Sequence, residues 1–373
     1  MKAGLQSSPL DTGLILTSAA DIEIKAVQWL WPGWLAVGKP HILGGAPGTG
    51  KTTLAMAMAA TVSSGGRWPD GLQCRQGRVL VWSGEDDPAD SLVPRLKVMG
   101  ADLTRIEIVS GLRDGTGVVR AFDPATDIAA LTDAFNAFDD ITMFIIDPLV
   151  SAVSGDSHRN TEVRRNLQPL VDMAQANDCA LLGITHFSKG MQGRDAIERI
   201  NGSIAFTAVP RIVMVAAQHL DGEGAPTRLL ARAKSNIGPD GGGFAYEIHQ
   251  LPVQGHAELN ASCVLWKEPV EGTANQLLGR AEQRSSEGST SALQEATEWL
   301  ADFLADGPKD NEEIRAAARS AGHTVATVKR AKADLKVKSQ KQGMDGGWAW
   351  VLPEGAQGRA KELTEHDELL RQI

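Results

Sequence analysis

Short apolar runs alternate with longer stretches of helical periodicity along the first two thirds of the chain. We predict buried strands at four of these runs, "RVLVW" (78–82), "MFIID" (143–147), "ALLGIT" (180–185) and "RIVMVAA" (211–217). This alternation is typical of a mostly parallel sheet that is covered by helices on both faces. The pattern therefore predicts an α/β fold whose core spans residues 40–266, after an N-terminal segment of residues 1–39.

The pattern changes after the core. Residues 267–291 are rich in Ser, Gly, Gln and charged residues and show no apolar periodicity, which predicts an exposed linker. Three helical patterns and two short strand-like runs follow within residues 292–353, and together they predict a small winged helix-turn-helix domain. Residues 354–373 are polar, and we expect a flexible tail there.

The stretch "GGAPGTGKTT" at residues 44–53 contains the pattern G-x-x-x-x-G-K-[ST] between a strand-like run and a good helix former. In that context the pattern predicts a P-loop, in which backbone N–H groups and a helix N-terminus surround phosphate oxygens. We expect Lys51 to reach the β- and γ-phosphates of ATP, and Thr52 to join the shell of a Mg²⁺ ion. The predicted nucleotide-binding residues are Gly45, Ala46, Pro47, Gly48, Thr49, Gly50, Lys51, Thr52 and Thr53.

Three further polar side chains stand at the ends of predicted strands. Asp147 ends a long apolar run, and we expect it to hold Mg²⁺. Because Pro148 follows it, the base that activates the attacking water must come from elsewhere. Glu85, just past the end of another strand, is our candidate for that base, and Asp86 is the alternative. His186 ends a further strand at the same edge as Asp147, where it is placed to contact the γ-phosphate or the water.

Composition narrows the class of protein. The chain has 373 residues, of which 42% are hydrophobic, enough for a sizeable core. No apolar run approaches the roughly 18 residues that span a bilayer, and no basic stretch leads into an apolar one, so we expect a cytoplasmic protein. Cys74, Cys179 and Cys263 lie far apart without metal-ligand spacing, and we expect buried thiols.

The formal net charge of −9 excludes a uniformly basic surface, so any contact with DNA must be regional. Between residues 323 and 341, six basic residues stand against one acidic residue, which favours a DNA-binding face over a surface for protein contacts. The segment after His186 is also basic, and it is either a solvated lid or a contact with a polyanion. The candidate DNA contacts are Lys189, Arg194, Arg199, Lys329, Arg330 and Lys332.

Taken together, the P-loop, Glu85, Asp147 without a following glutamate, and His186 resemble the RecA superfamily. Within it, the chain resembles the RepA-like hexameric replicative helicases of plasmids and prophages over roughly residues 15–266. The stretches that carry this resemblance are "SGEDDP", "IIDPL", "ITHFSKG", "INGSIAFTAVPRIVM" and "AKSNIGP". Residues 292–353 resemble the winged-helix tails of phage-type ATPases, through "RAK" and "GWAWVLP".

The resemblance implies a RecA-like core that binds ATP between neighbouring subunits of a hexameric ring, with single-stranded DNA passing through the ring. It assigns the phosphates and Mg²⁺ to Lys51 and Thr52, catalysis to Glu85, the metal to Asp147 and γ-phosphate sensing to His186. Arg211 would be the arginine finger, and Lys234 resembles a basic residue that also reaches a neighbour's nucleotide. From the residues alone, Arg211 is equally able to pair with Asp195 or Glu198 in the preceding loop.

Three functions therefore remain open on the sequence. The first is a motor, a ring-forming ATPase that moves along or opens DNA during replication of a mobile element. The second is a switch, which binds DNA through its tail and uses its nucleotide state to load or regulate replication proteins without translocating. The third is a P-loop kinase of a small metabolite, which leaves the basic tail unexplained. Motor and switch share every motif quoted above.

Overall fold

A computed structural model of the chain describes residues 14, 16–156, 159–188, 191, 193–200, 205–218, 227–256, 258–305, 307–341 and 348–353, with the backbone alone for residues 283–292. The β-strands in this part are β1 (Trp29–Trp31), β2 (Leu35–Ala36), β3 (Pro40–Gly45), β4 (Arg78–Ser83), β5 (Ile106–Ile108), β6 (Leu112–Arg113), β7 (Val119–Arg120), β8 (Ile141–Asp147), β9 (Ala180–His186), β10 (Ile212–Gln218), β11 (Arg228–Ser235), β12 (Gly243–Pro252), β13 (Asn260–Val270), β14 (Lys309–Asp310), β15 (Lys338–Lys341) and β16 (Trp348–Val351).

The α-helices in the same residues are α1 (Lys51–Ser64), α2 (Val93–Val98), α3 (Ile128–Ala137), α4 (Asn160–Ala176), α5 (Ala205–Ala208), α6 (Ala274–Ala305), α7 (Asn311–Ser320) and α8 (Val325–Asp334). Short helical turns lie at Ala19–Asp21, Pro88–Leu92, Leu103–Arg105 and Leu149–Ala152. None of the helices in the described part of the chain combines the length and the hydropathy that crossing a bilayer requires. All three cysteines are buried and free, as expected.

A nine-stranded sheet organises the core, with the strand order β13-β12-β11-β10-β3-β9-β8-β4-β5. The six strands from β10 to β5 run parallel, and β11, β12 and β13 extend the sheet with antiparallel pairings. Strand β9 lies between β3 and β8, so the strand that leads into the P-loop and the strand that ends at Asp147 are one strand apart. The predicted α/β class with a RecA-like, mostly parallel core is confirmed.

Both faces of this sheet are buried. Along β8, Met143 and Ile145 pack in one apolar cluster with helix α1, while Phe144 and Ile146 pack in a second cluster with helix α4. Successive side chains of a strand point to opposite faces, so a continuous apolar run is what a strand covered on both sides requires. Burial of each such side chain contributes roughly 1.5–3 kcal/mol to the stability of the fold. The packed layers on the two faces hold the carboxyl ends of the parallel strands at one common edge.

The chain between residues 267 and 291 differs from the exposed linker that we expected. Strand β13 continues to Val270, and helix α6 begins at Ala274 and runs without a break to Ala305. Its first two turns pack on the core because Ala274, Leu277, Leu278 and Ala281 are all buried. These four residues have the i, i+3, i+4, i+7 spacing of one helix face, a signal that the surrounding Ser, Gly and charged residues hide.

The far end of α6 belongs to a second, smaller unit. Its core combines residues of α6, α7 and α8 with Trp350 of the terminal hairpin. The small sheet has the order β14-β16-β15, and both of its pairings are antiparallel. The three helices and the hairpin that the sequence predicted are present, and β14 is an additional short strand. Residues 354–373, the predicted tail, lie outside the described residues.

One buried histidine in the core links three strands. The Ala36 N–H donates to His41 Nε2 at 2.9 Å, and His41 Nδ1 lies 3.1 Å from the carbonyl oxygen of Leu181. A backbone N–H can only donate and a carbonyl can only accept, so the ring is neutral, with its proton on Nδ1. Burial lowers the pKa of His41 from 6.5 to about 4, and the bond to Leu181 opposes that shift.

Because His41 is buried and neutral, we predict that the stability of the folded protein decreases at acidic pH. Between pH 6.5 and about pH 4, His41 is protonated in the unfolded chain but neutral in the folded protein. The free energy of unfolding should therefore fall by about 3 kcal/mol as the pH is lowered from 6.5 to 4. We expect His41→Gln, which cannot titrate, to reduce this pH dependence. Urea unfolding of both proteins at pH 7 and pH 4.5 measures the difference. Equal losses of stability in the two proteins would contradict the assignment.

Candidate active site

The P-loop joins β3 to α1, and the nine predicted nucleotide-binding residues lie at the end of β3, in this loop and in the first turn of the helix. Gly48 and Gly50 have φ angles of 80° and 83°, which residues with a side chain rarely adopt. A Cβ on Gly50 would in addition lie 2.1 Å from Cδ1 of Ile248. The glycines therefore allow the loop to wrap closely, and the N-terminus of α1 adds a positive end that favours phosphate.

Lys51 is buried beside this loop, and its ammonium group donates hydrogen bonds to uncharged acceptors. Its Nζ donates to the carbonyl oxygens of Gly45 at 3.0 Å and Ala46 at 3.2 Å, and to Nδ1 of His186 at 3.2 Å. Burial lowers the pKa of Lys51, while the negative charges of Asp147 and Glu85 raise it. An ammonium in this position is well placed to exchange these neutral acceptors for phosphate oxygens.

Thr52 in the first turn of α1 and Asp147 at the end of β8 lie in contact. The Thr52 hydroxyl donates to Asp147 Oδ2 at 2.7 Å. Asp147 is buried, which raises the pKa of its carboxyl group, and its Oδ1 has no hydrogen-bond partner among the described residues. A hydroxyl beside a carboxylate with one unsatisfied oxygen is a donor set of the kind that Mg²⁺ takes beside nucleotide phosphates. The two residues thus fit a Mg²⁺ ion, which would offset phosphate charge when bound.

Clusters of three or more metal-binding side chains are absent from the described residues. Thr52 and Asp147 would supply one hydroxyl and one carboxylate to a Mg²⁺ ion and would leave its other positions to substrate phosphates and water. The same donor set gives no support to a resident zinc ion, which prefers nitrogen and sulfur ligands.

Glu85 and His186 meet across the edge of the sheet. Strand β4 pairs with β8 so that Ser83 lies opposite Asp147, and the following turn places Glu85 Oε1 3.6 Å from Nε2 of His186. Because the ammonium of Lys51 can only donate, Nδ1 of His186 accepts, and the remaining ring proton on Nε2 faces Glu85. Glu85 is an exposed carboxylate beside a buried cation, an arrangement able to accept a proton from water.

The alternative base, Asp86, is occupied by another partner. Its Oδ2 accepts a hydrogen bond from Nη1 of Arg95 in helix α2 at 2.7 Å, and the two side chains form an ion pair. Asp87 caps the following helical turn by accepting from the backbone of Ala89 and Asp90. Of the three acidic residues in "GEDDP", Glu85 is therefore the one whose carboxylate faces His186, and its role as the base stays a prediction.

Arg211 lies at the opposite edge of the sheet from the P-loop of its own chain. Its backbone N–H donates to the carbonyl oxygen of Pro40 at 2.9 Å, at the start of β3, whereas the P-loop begins at the end of that strand. At about 3.3 Å per residue, the length of β3 separates the two by roughly 16 Å. The arginine is exposed and forms no ion pair with another described residue. Asp195, one of the two alternative partners that the sequence offers to Arg211, accepts a hydrogen bond from the side chain of Asn275.

Lys234 lies beside Arg211. Its Nζ donates to the carbonyl oxygens of Thr207 at 2.7 Å and Pro210 at 3.3 Å. Burial lowers the pKa of Lys234, and the charge of Arg211 lowers it further. Two neighbouring cations at an exposed edge repel each other unless an anion lies between or near them. This edge of the sheet therefore favours binding of an anion, and a nucleotide in the P-loop of the same chain is too far away to be that anion.

The predicted DNA contacts have different surroundings. Lys189 lies outside the described residues, and Arg194 is exposed. Arg199 is buried and pairs with Glu282 of α6, so the prediction that this arginine contacts DNA is wrong. A charge with only 5% exposure and a carboxylate partner is not available to a polyanion.

In the C-terminal unit, Lys329 and Arg330 are exposed on helix α8. Lys332 is not equivalent to them. Its Nζ donates to the Ser339 hydroxyl at 2.6 Å and lies 4.0 Å from the centre of the Trp350 ring. Lys332 therefore joins the helix to the hairpin, and the structure does not support the prediction that it contacts DNA. The period of α8 puts it on the inner side, one turn from the buried Val328.

Sequence reasoning missed two contributors to the P-loop. The buried Tyr246 of β12 donates its hydroxyl proton to the carbonyl oxygen of Thr49 at 2.7 Å. Ile248 of the same strand packs against Gly50. Both residues lie about 200 positions from the loop, in the antiparallel strand β12. Local sequence patterns do not predict how this strand pairs. A hydroxyl at the end of the apolar run "GFAY" (243–246) was the available signal for Tyr246.

Together, the fold and this site define a P-loop ATPase, with a lysine in the phosphate loop, a hydroxyl–carboxylate pair at the metal position and an acidic residue at the same sheet edge. The sequence profile of the protein family described as the AAA domain matches residues 6–192, about half of the chain, and the chain belongs to this family. No curated protein matches the chain. The matched range ends before Arg211 and Lys234, whose roles remain predictions.

Proposed function

We propose that this ATPase is a DNA-associated motor, a ring-forming replicative helicase of the RepA-like kind that serves a mobile element. The observation that carries the proposal is the position of Arg211 and Lys234. Both cations lie at the sheet edge opposite their own P-loop, at a distance that prevents contact with the nucleotide there. A head-to-tail ring of subunits would bring this edge to the neighbour's P-loop and would give the two cations a γ-phosphate to bind.

The small C-terminal unit supports association with DNA. Helices α7 and α8 follow each other across a short turn, and the terminal hairpin packs against α8 through Lys332 and Trp350. We interpret this unit as a winged helix-turn-helix, in which the second helix of the pair enters the major groove of duplex DNA. Lys329 and Arg330, exposed on α8, are placed to contact phosphates and steer the helix onto the duplex.

A second candidate is a non-translocating ATPase that binds DNA through the same unit and loads or regulates replication proteins. The burial of Arg199 favours it, because Arg194 is then the only exposed arginine among the described residues of the segment after His186. A ring that pulls on single-stranded DNA requires phosphate contacts along its inner surface. The motor proposal therefore depends on cations that the switch does not need.

A strand-displacement assay on a forked duplex separates the two candidates. The motor should release the labelled strand in the presence of ATP and Mg²⁺, and Lys51→Ala, which lacks the charge that stabilises the phosphates, should not. Hydrolysis without release, on a substrate that the protein demonstrably binds, would reject the motor and leave the switch.

Duplex binding itself is tested with Lys329→Ala/Arg330→Ala. Removing two phosphate contacts should lower the slope of log affinity against log salt by about 2. Arg75→Ala/Arg113→Ala removes the same charge from two exposed positions of the core and serves as the control. An equal loss of affinity in both double variants would show that net charge, rather than helix α8, governs binding.

A further inference from the structure

The segment that follows His186 is closed at its base and does not extend freely from the sheet. Phe187 and Ile200 form an isolated antiparallel bridge, and the Ser188 N–H donates to the carbonyl oxygen of Arg199 at 2.7 Å. The segment therefore leaves β9 and returns to it within 13 residues. What holds its outer part is helix α6, which lies about 80 positions further along the chain.

Glu282 of α6 makes two kinds of contact with this segment. Its carboxylate accepts from the guanidinium of Arg199 through both oxygens, the longer bond being 3.4 Å, and from the Gly193 N–H at 3.2 Å. Arg199 is buried, and its Nε donates to the carbonyl oxygen of Arg194 at 2.7 Å, so the guanidinium joins the turn at residues 194–199 to the helix. Charge-assisted hydrogen bonds of this kind fix geometry more firmly than neutral ones.

Asn275, two turns earlier on α6, holds the middle of the segment. Its side-chain oxygen accepts from the Ala196 N–H at 2.7 Å, and its amide nitrogen donates to Asp195 Oδ2 at 2.5 Å. Ala196 is buried against Leu277 and Leu278 of the helix. We name the contacts of Asn275 and Glu282 with residues 193–199 the α6 clamp.

The segment that the α6 clamp holds also contacts the ATPase site. The segment begins at His186, whose ring accepts from Lys51 and faces Glu85. Phe187 and Ile200 pack over Gly44 of β3, where a Cβ on the glycine would lie 3.1 Å from Ile200. At its other end, α6 supplies the buried Ala296, Leu300 and Leu304 of the C-terminal unit. One continuous helix thus contacts both the segment behind His186 and the core of the smaller unit.

We propose that Glu282 and Asn275 are positioning residues for ATP turnover, and that α6 carries the state of the ATPase site to the C-terminal unit. The helix fixes the segment, and the segment fixes His186 between Lys51 and Glu85. A nucleotide that displaces His186 from Lys51 has to move the segment against the clamp, and α6 with it. The second half of this inference rests on the proposed binding of DNA by the C-terminal unit, whereas the first half does not.

Steady-state kinetics without DNA test the positioning role. Glu282→Gln leaves the buried Arg199 without a counter-charge, so the segment should detach and kcat should fall about tenfold, while KM for ATP changes less than about threefold because the P-loop is untouched. Asn275→Ala removes two hydrogen bonds and no charge, and a loss of about threefold in kcat is expected. Glu271→Gln, at an exposed position just before the helix, is the control and should match the wild-type protein.

Thermal unfolding distinguishes positioning from general damage. If Glu282→Gln lowers the Tm strongly and changes kcat and KM together, the kcat of Asn275→Ala tests the positioning role instead. The fold should tolerate this smaller change. Glu282→Asp, which keeps the charge, should recover part of the lost kcat. Wild-type kcat in both Glu282→Gln and Asn275→Ala would overturn the positioning role.

The coupling is tested by duplex affinity in ADP and in a non-hydrolysable ATP analogue. The wild-type protein should show a difference of at least about fivefold between the two nucleotides, which is typical of allosteric coupling. Both Glu282→Gln and Ser289→Pro should abolish the difference. The proline interrupts α6 at Ser285, beyond the last clamp residue, and should leave DNA-free turnover unchanged.

The outcomes separate the two proposals. Failure of the wild-type protein to bind any duplex would reject the proposed DNA association and the coupling, while the kinetic variants would still decide the positioning role. Binding that does not depend on nucleotide in the wild-type protein, or a difference that survives in Ser289→Pro, would overturn the coupling alone.

Discussion

Replacing Arg211 by alanine is expected to reduce ATP turnover by about 10³–10⁵-fold, the range that arginine fingers contribute. The residue is exposed and forms no described ion pair, so the free energy of unfolding should change by less than about 0.5 kcal/mol. ATP binding should survive, because the P-loop of the same chain lies about 16 Å away along β3. Turnover, urea unfolding and nucleotide binding measured on one preparation check all three statements.

A mixing experiment decides whether the arginine acts on the neighbouring subunit. Lys51→Ala subunits keep the finger and lose the P-loop charge, whereas Arg211→Ala subunits keep the P-loop and lose the finger. In an equal mixture, about a quarter of the head-to-tail interfaces of a ring combine an intact P-loop with an intact finger. We therefore expect about a quarter of wild-type turnover from two variants that are inactive alone.

Size-exclusion chromatography with differently tagged subunits is the necessary control, since it shows that the two variants assemble together. Co-assembly without any recovery of turnover would confine the site to one chain and reject the shared-ring proposal. A second control, Arg75→Ala, removes an exposed arginine of the core that has no expected role in hydrolysis.

The second large effect is expected for Glu85→Gln. The amide has nearly the shape of the carboxylate but cannot accept a proton, so turnover should fall by about 10²–10⁴-fold. Lys51, Thr52 and Asp147 keep their mutual contacts in this variant, and the affinity for ATP with Mg²⁺ should remain within a few-fold of the wild-type value. Equilibrium binding of a fluorescent nucleotide together with phosphate release measures both quantities.

Asp86→Asn provides the matched control, because it makes the same chemical change one residue further along. Asp86 pairs with Arg95, so its replacement should lower stability slightly and leave most of the turnover. The reverse outcome, an active Glu85→Gln and an inactive Asp86→Asn, would transfer the role of base to Asp86. A Glu85→Gln protein that no longer binds nucleotide would make Glu85 a structural residue.

Features that depend on neighbours in sequence could be predicted. The glycines, lysine and threonine of the P-loop act through a single turn between a strand and a helix, so their spacing alone is informative. The apolar runs that became β8 and β9 are continuous because both faces are covered, and the position of Asp147 at a strand end follows from the length of its run. The α/β class, the site edge and the donor pair for Mg²⁺ followed from such local patterns.

Which charges are available was decided by tertiary structure. Arg95, nine residues away, binds Asp86 and leaves Glu85 facing His186. Arg199 is neutralised by Glu282, 83 positions away, in a stretch whose four buried apolar residues are masked by polar neighbours. A side chain's charge is a property of its sequence, but its burial and partner depend on packing between distant elements. The sequence by itself determined the phosphate loop and the sheet, and only the tertiary structure decided which acidic and basic side chains remain free to act on a nucleotide or a polyanion.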